Sequence, residues 1–278
     1  GVVLDAEGLG EEDMRRVARE LNNSETAFVF PSRSPEYDVH VRFFTPTREV
    51  PICGHATVAA HYVLAKARGM AGGRVLQKTG AGILPVDIQA DGDDLRIVMT
   101  QGSIEFGGVI ERDERARLLA GLHLRESDLR AGYPVQIVST GHSKVMVPIN
   151  SRYLLDALAP DSGALAALSR DIGCNGYYVF TADWSDEALP VHGRMFAPAA
   201  GIPEDPVTGN ANGPLGAYLV RHRLVRHDGR VFSFNAVQGE AMGRPGIIRV
   251  EVDIRDDEPA LVRISGHAVI VFETEITV

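Results

Sequence analysis

Gly54-His55-Ala56-Thr57-Val58-Ala59-Ala60-His61-Tyr62-Val63-Leu64 has a partner further along the chain in Gly209-Asn210-Ala211-Asn212-Gly213-Pro214-Leu215-Gly216-Ala217-Tyr218-Leu219, offset by 155 residues. Both stretches open on glycine, are rich in small residues and contain no Lys, Arg, Asp or Glu. A helix that is apolar all round belongs in a core. Upstream, Arg42-Phe43-Phe44-Thr45-Pro46 matches Arg194-Met195-Phe196-Ala197-Pro198 at offset 152, and Phe28-Val29-Phe30 matches Tyr178-Val179-Phe180 at offset 150. Three motifs in one order with little drift imply a duplicated domain.

Each repeat reads strand, loop, strand, glycine-containing loop, helix. Aromatic and β-branched runs predict strands over 27–30, 39–44 and 177–180. Helical spacing predicts helices over 56–67, stopped by Gly69, and 211–223, with Pro214 in its first turn, where a missing N–H costs nothing. The expected picture is an α/β (α+β) protein in which a strand layer wraps one central helix in each half. Glu11–Leu21 is amphipathic, with Met14, Val17, Ala18 and Leu21 inward; Arg112–Leu122 and Leu154–Asp171 read as further helices. Strands are expected at 83–88, 94–99, 134–139, 144–149, 231–235, 247–254, 260–264 and 267–273. The domain junction falls near 105–112.

The 278 residues suit two domains, each long enough to close a core. The net charge of −9 argues against a nucleic-acid partner. No apolar run is long enough for a transmembrane helix. Two cysteines, Cys53 and Cys174, exclude a disulfide scaffold and a CxxC site and suggest a reducing, cytoplasmic setting. The opening Gly1-Val2-Val3 reads as a chain lacking its true beginning.

Gly54 and Gly209 each precede a helix N-terminus, whose free N–H groups and dipole favour anions. The plain alternative is a tight turn that needs glycine. Glu25 leads a hydrophobic strand, where desolvation would raise its pKa toward that of a general acid or base; the alternative is a solvated connector. His55, at a helix head, should stay neutral and relay protons, or merely cap. Asp205, in Pro203-Glu204-Asp205-Pro206-Val207-Thr208-Gly209-Asn210, can hold a histidine or a substrate amine, or be an ordinary pre-proline turn residue, with Glu204 its nearest competitor. His61 reads as a core histidine. No GxGxxG, P-loop or HExxH is present, and Gly141-His142-Ser143-Lys144 lacks the serine-hydrolase elbow.

Ser24-Glu25-Thr26, Arg42–Pro46, Cys53-Gly54-His55-Ala56-Thr57 and Glu204–Ala211 resemble the motifs of the PhzF-like isomerase family over the whole chain, in particular its Cys-Gly-His-Ala-Thr bacterial branch. The resemblance implies a diaminopimelate-epimerase-like fold: two similar domains, each a mixed β-barrel around a central helix. The expected division is 1–108, completed by a strand in 267–278, and 109–266. It implies catalytic roles for Glu25, His55 and Asp205, and substrate contacts from Cys53, Gly54, Ala56, Thr208, Gly209, Asn210 and Ala211. It also implies no metal or organic cofactor, and a homodimer. Two features depart from the family pattern. Asn210 stands where the phenazine enzyme has serine, and Cys53 resembles one catalytic thiol of the related epimerases while the Asp205–Asn210 loop has no second one.

The leading expectation is a cofactor-independent isomerase acting in an interdomain cleft. Glu25 would move a proton on a small carboxylate-bearing substrate, and backbone amides near Gly54 and Gly209 would hold the carboxylate. The alternatives are an amino-acid racemase or epimerase using Cys53, and a non-catalytic small-ligand binder.

Overall fold

A computed structural model describes residues 1–182 and 190–277. The chain divides into two compact units, Gly1–Thr100 with Ser265–Val278, and Gln101–Ile264. The first contains β1 (Val2–Val3), α1 (Glu11–Leu21), β2 (Thr26–Pro31), β3 (Val39–Phe44), β4 (Glu49–Val50), α2 (Gly54–Arg68), β5 (Gly73–Thr79), β6 (Gly82–Asp91) and β7 (Asp94–Thr100). The second contains β8 (Glu105–Val109), α3 (Arg112–Leu122), β9 (Gln136–Ser139), β10 (Lys144–Pro148), α4 (Arg152–Ala157), α5 (Ser162–Ile172), β11 (Tyr177–Thr181), β12 (Val191–Ala197), β13 (Ile202–Asp205), α6 (Gly209–Arg221), β14 (Val231–Gln238) and β15 (Gly246–Arg255), with β16 (Glu258–Gly266) following.

The duplication is written in the strand pairing. In the first unit β1 runs parallel to β2, β2 antiparallel to β3, β3 antiparallel to β4 and parallel to β5, and β5 antiparallel to β6. In the second, β10, β11, β12, β13, β14 and β15 repeat that sequence of directions. Parallel neighbours need a crossover, supplied by α1 in one unit and by α4 and α5 in the other.

Strand alternation assigns the two faces. Ala27, Val29, Val39, Val41 and Phe43 pack in the core of α2, whereas Phe28 and Phe44 pack against Met14, Val17 and Ala18 of α1. α2 lies against β1, β2, β6 and β7, and α6 against β9, β10, β14 and β15. Every residue from Ala211 to Val220 is buried, as its uncharged sequence requires. Gly69 ends α2 in the left-handed conformation that glycine adopts without strain.

A second repeated device braces each hairpin. Arg42 donates from Nε and Nη2 to the two oxygens of Glu49 across β3–β4; Arg194 does the same with Glu204 across β12–β13. Each guanidinium also lies 5.1 Å from the ring centroid of the phenylalanine two residues on, Phe44 or Phe196. The second pair is the more buried, and Arg194 Nη1 additionally donates to the carbonyls of Leu155 and Leu158 at the end of α4.

Several expectations are corrected. Residues 154–171 do not form one helix: α4 ends at Ala157 and α5 restarts at Ser162. Pro160 cannot continue a helix, and the Asp161 side chain caps the new one by accepting from the Ala164 N–H at 2.9 Å. α6 begins at Gly209 and ends at Arg221, so Pro214 is inside the helix, beyond the first turn, and the Asn210 carbonyl loses its helical N–H. The unit division falls at Thr100/Gln101 rather than 108/109, because β8 pairs with β9. Residues 267–273 form no strand. His267 instead meets Asp91 at 2.9 Å, Ala268 packs on the α2 core, and Val269, Val271 and Phe272 are exposed. Among the described residues no helix is long and apolar enough to cross a membrane.

Candidate active site

Glu25 immediately precedes β2, and Cys53 and His55 lie at the head of α2. Cys53 is the residue before the helix and His55 is in its first turn. β2 packs on α2, so the entrance of the strand meets the start of the helix. His55 Nε2 is 2.9 Å from Glu25 Oε2 and 3.1 Å from Ser24 Oγ. Cys53 Sγ lies 3.6 Å from His55 Nδ1 and 3.5 Å from Nε2. The Glu25 side chain is only 14% exposed. Its Oε2, close as it is to the imidazole, has no hydrogen-bond partner of good geometry.

The electrostatics correct two expectations. Burial alone would push Glu25 upward, but the His55 contact and charge, with Ser24 and Cys53, outweigh it and hold the carboxyl below its ordinary 4.5. Burial likewise works against the His55 imidazolium, yet Cys53 and Glu25 together raise it well above 6.5. The helix head does not keep His55 neutral, because two contacting acceptors outweigh a partial dipole charge. Burial pushes the Cys53 thiol up, partly offset by His55 and by the Ala56 N–H. The cluster thus holds a Glu25 carboxylate beside a His55 that Cys53 and Glu25 both push toward its charged form, while burial favours the protonated Cys53 thiol. The donor atoms of these three residues lie within 4.8 Å of one another, close enough to converge on a metal ion.

Gly54 has no left-handed backbone, and a Cβ built on it would meet nothing within 4 Å. Neither a turn nor packing calls for glycine there. Gly209 differs: its Cβ would strike the Ile264 side chain.

The second unit gathers Asp205, Thr208, Asn210 and Ala211 at the head of α6. Thr208 Oγ1 donates to Asp205 Oδ2. Gln238 Nε2 donates to Thr208 Oγ1 at 3.0 Å and to the Asp205 carbonyl at 2.6 Å. Gln238 Oε1 accepts from Asn212 Nδ2 at 3.0 Å, and Asn212 Oδ1 accepts from the buried Tyr178 hydroxyl at 2.5 Å. Gln101 Nε2 donates to Asn210 Oδ1 at 3.2 Å, and Gln101 Oε1 accepts from Thr140 at 2.6 Å. Glu204 is occupied by Arg194, leaving Asp205 as the member of the pair at the helix head.

Gln101, Tyr178, Asn212 and Gln238 escaped the sequence reading. Only Asn212 carries a signal, since it occupies the place of Thr57 at offset 155. Both side chains return to the carbonyl before their helix, Thr57 Oγ1 to Cys53 at 2.7 Å and Asn212 Nδ2 to Thr208 at 2.9 Å. His61 is a core residue, 3.0 Å from Gln77 Oε1.

A family model described as "Phenazine biosynthesis-like protein" matches residues 1–274. The chain is 57% identical to an uncharacterized isomerase of Clostridium acetobutylicum, over 99% of this chain and 91% of that one. It is 30% identical to the trans-2,3-dihydro-3-hydroxyanthranilate isomerase of Pseudomonas chlororaphis, over 96% and 89%. The crystal structure of a Bacillus anthracis phenazine biosynthesis protein of the PhzF family aligns with a TM-score of 0.87 at 32% identity, covering 100% of this chain and 93% of that one. With its duplicated α/β units and these relatives, the chain belongs to the phenazine biosynthesis-like, PhzF-type family of isomerases.

Proposed function

We propose that the protein isomerises a small carboxylate-bearing substrate by proton transfer through Glu25. The observation that carries this reading is the buried Glu25 carboxylate, held with its Oε2 2.9 Å from the His55 ring. The carboxylate takes a proton from a substrate C–H and, after that proton exchanges with solvent, delivers one to another carbon. The His55 imidazolium and the N–H groups of Gly54 and His55, which no helical carbonyl can reach, stabilise the negative charge that develops. The substrate named for the Pseudomonas chlororaphis relative is an example of the class.

The test is solvent isotope incorporation. The protein, in D2O with trans-2,3-dihydro-3-hydroxyanthranilate and a panel of small unsaturated and amino carboxylates, should place deuterium at a new carbon of one of them, read by proton NMR. α-Deuteration with inversion of an amino acid, and no migration, would overturn the reading in favour of a racemase.

Two predictions follow from the resting charges. Cys53→Ala should keep most of the activity, because a neutral thiol is not needed for transfer through a carboxylate. A loss of about a thousandfold or more, on the order of 4 kcal/mol, would make the thiol a second base. The rate should be flat through neutral pH. It should fall on the acid side below 4.5, as Glu25 takes its proton, and on the alkaline side well above 6.5, as His55 loses its own. A limb centred near 6.5 would show that His55 is not held charged.

A further inference from the structure

The duplication offers an internal comparison for the Glu25 cluster. Glu25 corresponds to Asn175 at offset 150, and Cys53 and His55 correspond to Thr208 and Asn210 at offset 155. The same place in the second unit is thus filled by neutral amide and hydroxyl groups. The fold accepts those groups there, so it does not by itself require a carboxylate, a thiol and an imidazole. Among the described residues no other three His, Cys, Asp or Glu side chains bring their ligand atoms together in this way.

The spacing of the three donors is that of ligands around one ion. Zinc–sulfur bonds of about 2.3 Å and zinc–nitrogen or zinc–oxygen bonds of about 2.0–2.1 Å, set at the tetrahedral angle, put sulfur and nitrogen about 3.5 Å apart and nitrogen and oxygen about 3.3 Å apart. Cys53 Sγ stands 3.5 Å from His55 Nε2, and Nε2 stands 2.9 Å from Glu25 Oε2. The second edge has to open slightly, and a turn of the imidazole about its Cβ–Cγ bond aims the nitrogen at the ion. One sulfur, one nitrogen and one oxygen donor suit zinc(II) and disfavour magnesium and calcium, which take oxygen ligands. A thiolate and a carboxylate balance the two charges of the ion, so the complex adds no net charge to a site where Glu25 and Cys53 are largely buried. The His55 side chain, 34% exposed, gives the site an opening to solvent, where water can complete the shell as fourth ligand.

We propose that Glu25, Cys53 and His55 form a three-ligand site for zinc(II) at the head of α2, with the fourth position left to water. The ion takes the place of the thiol proton and of the proton on the coordinating ring nitrogen, and both leave to solvent. It also occupies the carboxylate through which the isomerisation runs, so zinc(II) is an inhibitor of that reaction. This last consequence rests on the function proposed above; the binding itself does not.

The test uses the full chain, freed of metal by chelation, with cobalt(II) as the coloured probe for zinc(II). One equivalent should give a thiolate-to-cobalt charge-transfer band and the intense visible bands of a four-coordinate ion, and zinc(II) should abolish both. Cys53→Ser should remove the charge-transfer band. Glu25→Gln and His55→Gln should each weaken binding by at least about tenfold, the lower end of what even outer-shell partners of a metal contribute. Cys174→Ser, which alters the only other thiol of the chain, should leave the spectrum unchanged. Zinc(II) should raise the melting temperature of the parent, as a ligand of the folded state does, and magnesium should not. A parent without the charge-transfer band would overturn the proposal, and that result needs no variant to fold. A band that survives in Cys53→Ser, or an affinity unchanged in Glu25→Gln, would also overturn it and mark an adventitious ion. Deuterium incorporation without metal binding would leave the isomerase reading standing, and metal binding without incorporation would leave the site standing, so the two fail separately.

Discussion

Glu25→Gln should cut deuterium incorporation by at least about a hundredfold, or about 2.7 kcal/mol of transition-state stabilisation, while the fold and substrate affinity stay close to those of the parent. Glutamine keeps the length of the side chain and can still meet His55, but it has no carboxylate to receive a proton. Glu25→Asp should also be slow, since withdrawing the carboxylate by about one methylene breaks the alignment that proton transfer requires. Steady-state rates and the melting temperature, measured on the same preparations, separate chemistry from folding. Turnover of Glu25→Gln within about threefold of the parent would remove Glu25 from the reaction and leave His55 or Asp205 as the base.

Arg194→Met should destabilise the second unit by about 3–5 kcal/mol in urea unfolding, because breaking a buried ion pair strands its partner. The variant leaves Glu204, 15% exposed, without its cation, and the Leu155 and Leu158 carbonyls without their donor. Arg42→Met is the internal control. Its pair with Glu49 has the same bidentate geometry, but the side chains are 24% and 36% exposed, so the loss should stay near 1 kcal/mol or below. Equal losses at the two positions would show that burial does not govern this repeated device.

Much of the architecture was legible because it rests on local periodicity. The uncharged runs after Gly54 and Gly209 could only be buried helices, and α2 and α6 start at those glycines. α1 and α3 run over Glu11–Leu21 and Arg112–Leu122 as their patterning predicted. The three-motif repeat anticipated a strand order that both units share. Where local signals competed, the reading failed. Pro160 interrupts an otherwise helical pattern, Pro214 lies beyond the first turn of a helix that starts at Gly209, and the β-branched run at 267–273 forms no strand.

The candidate site divides along the same line. Glu25, Cys53 and His55 could be named from short motifs, and the fold brings them within contact of one another. Their charges could not be named. Read singly, a buried glutamate is pushed up and a histidine at a helix head stays neutral; brought together, His55 holds Glu25 down, and Cys53 with Glu25 holds His55 up. Asp205 could be picked from its loop, but the residues that secure it, Thr208, Asn212, Gln238 and Tyr178, come from β11, α6 and β14 and from the turn between β13 and α6. Secondary structure follows from neighbours a few residues away, which a chain displays in order. Ionisation and hydrogen-bond satisfaction follow from neighbours in space, and those exist only once distant segments have packed together.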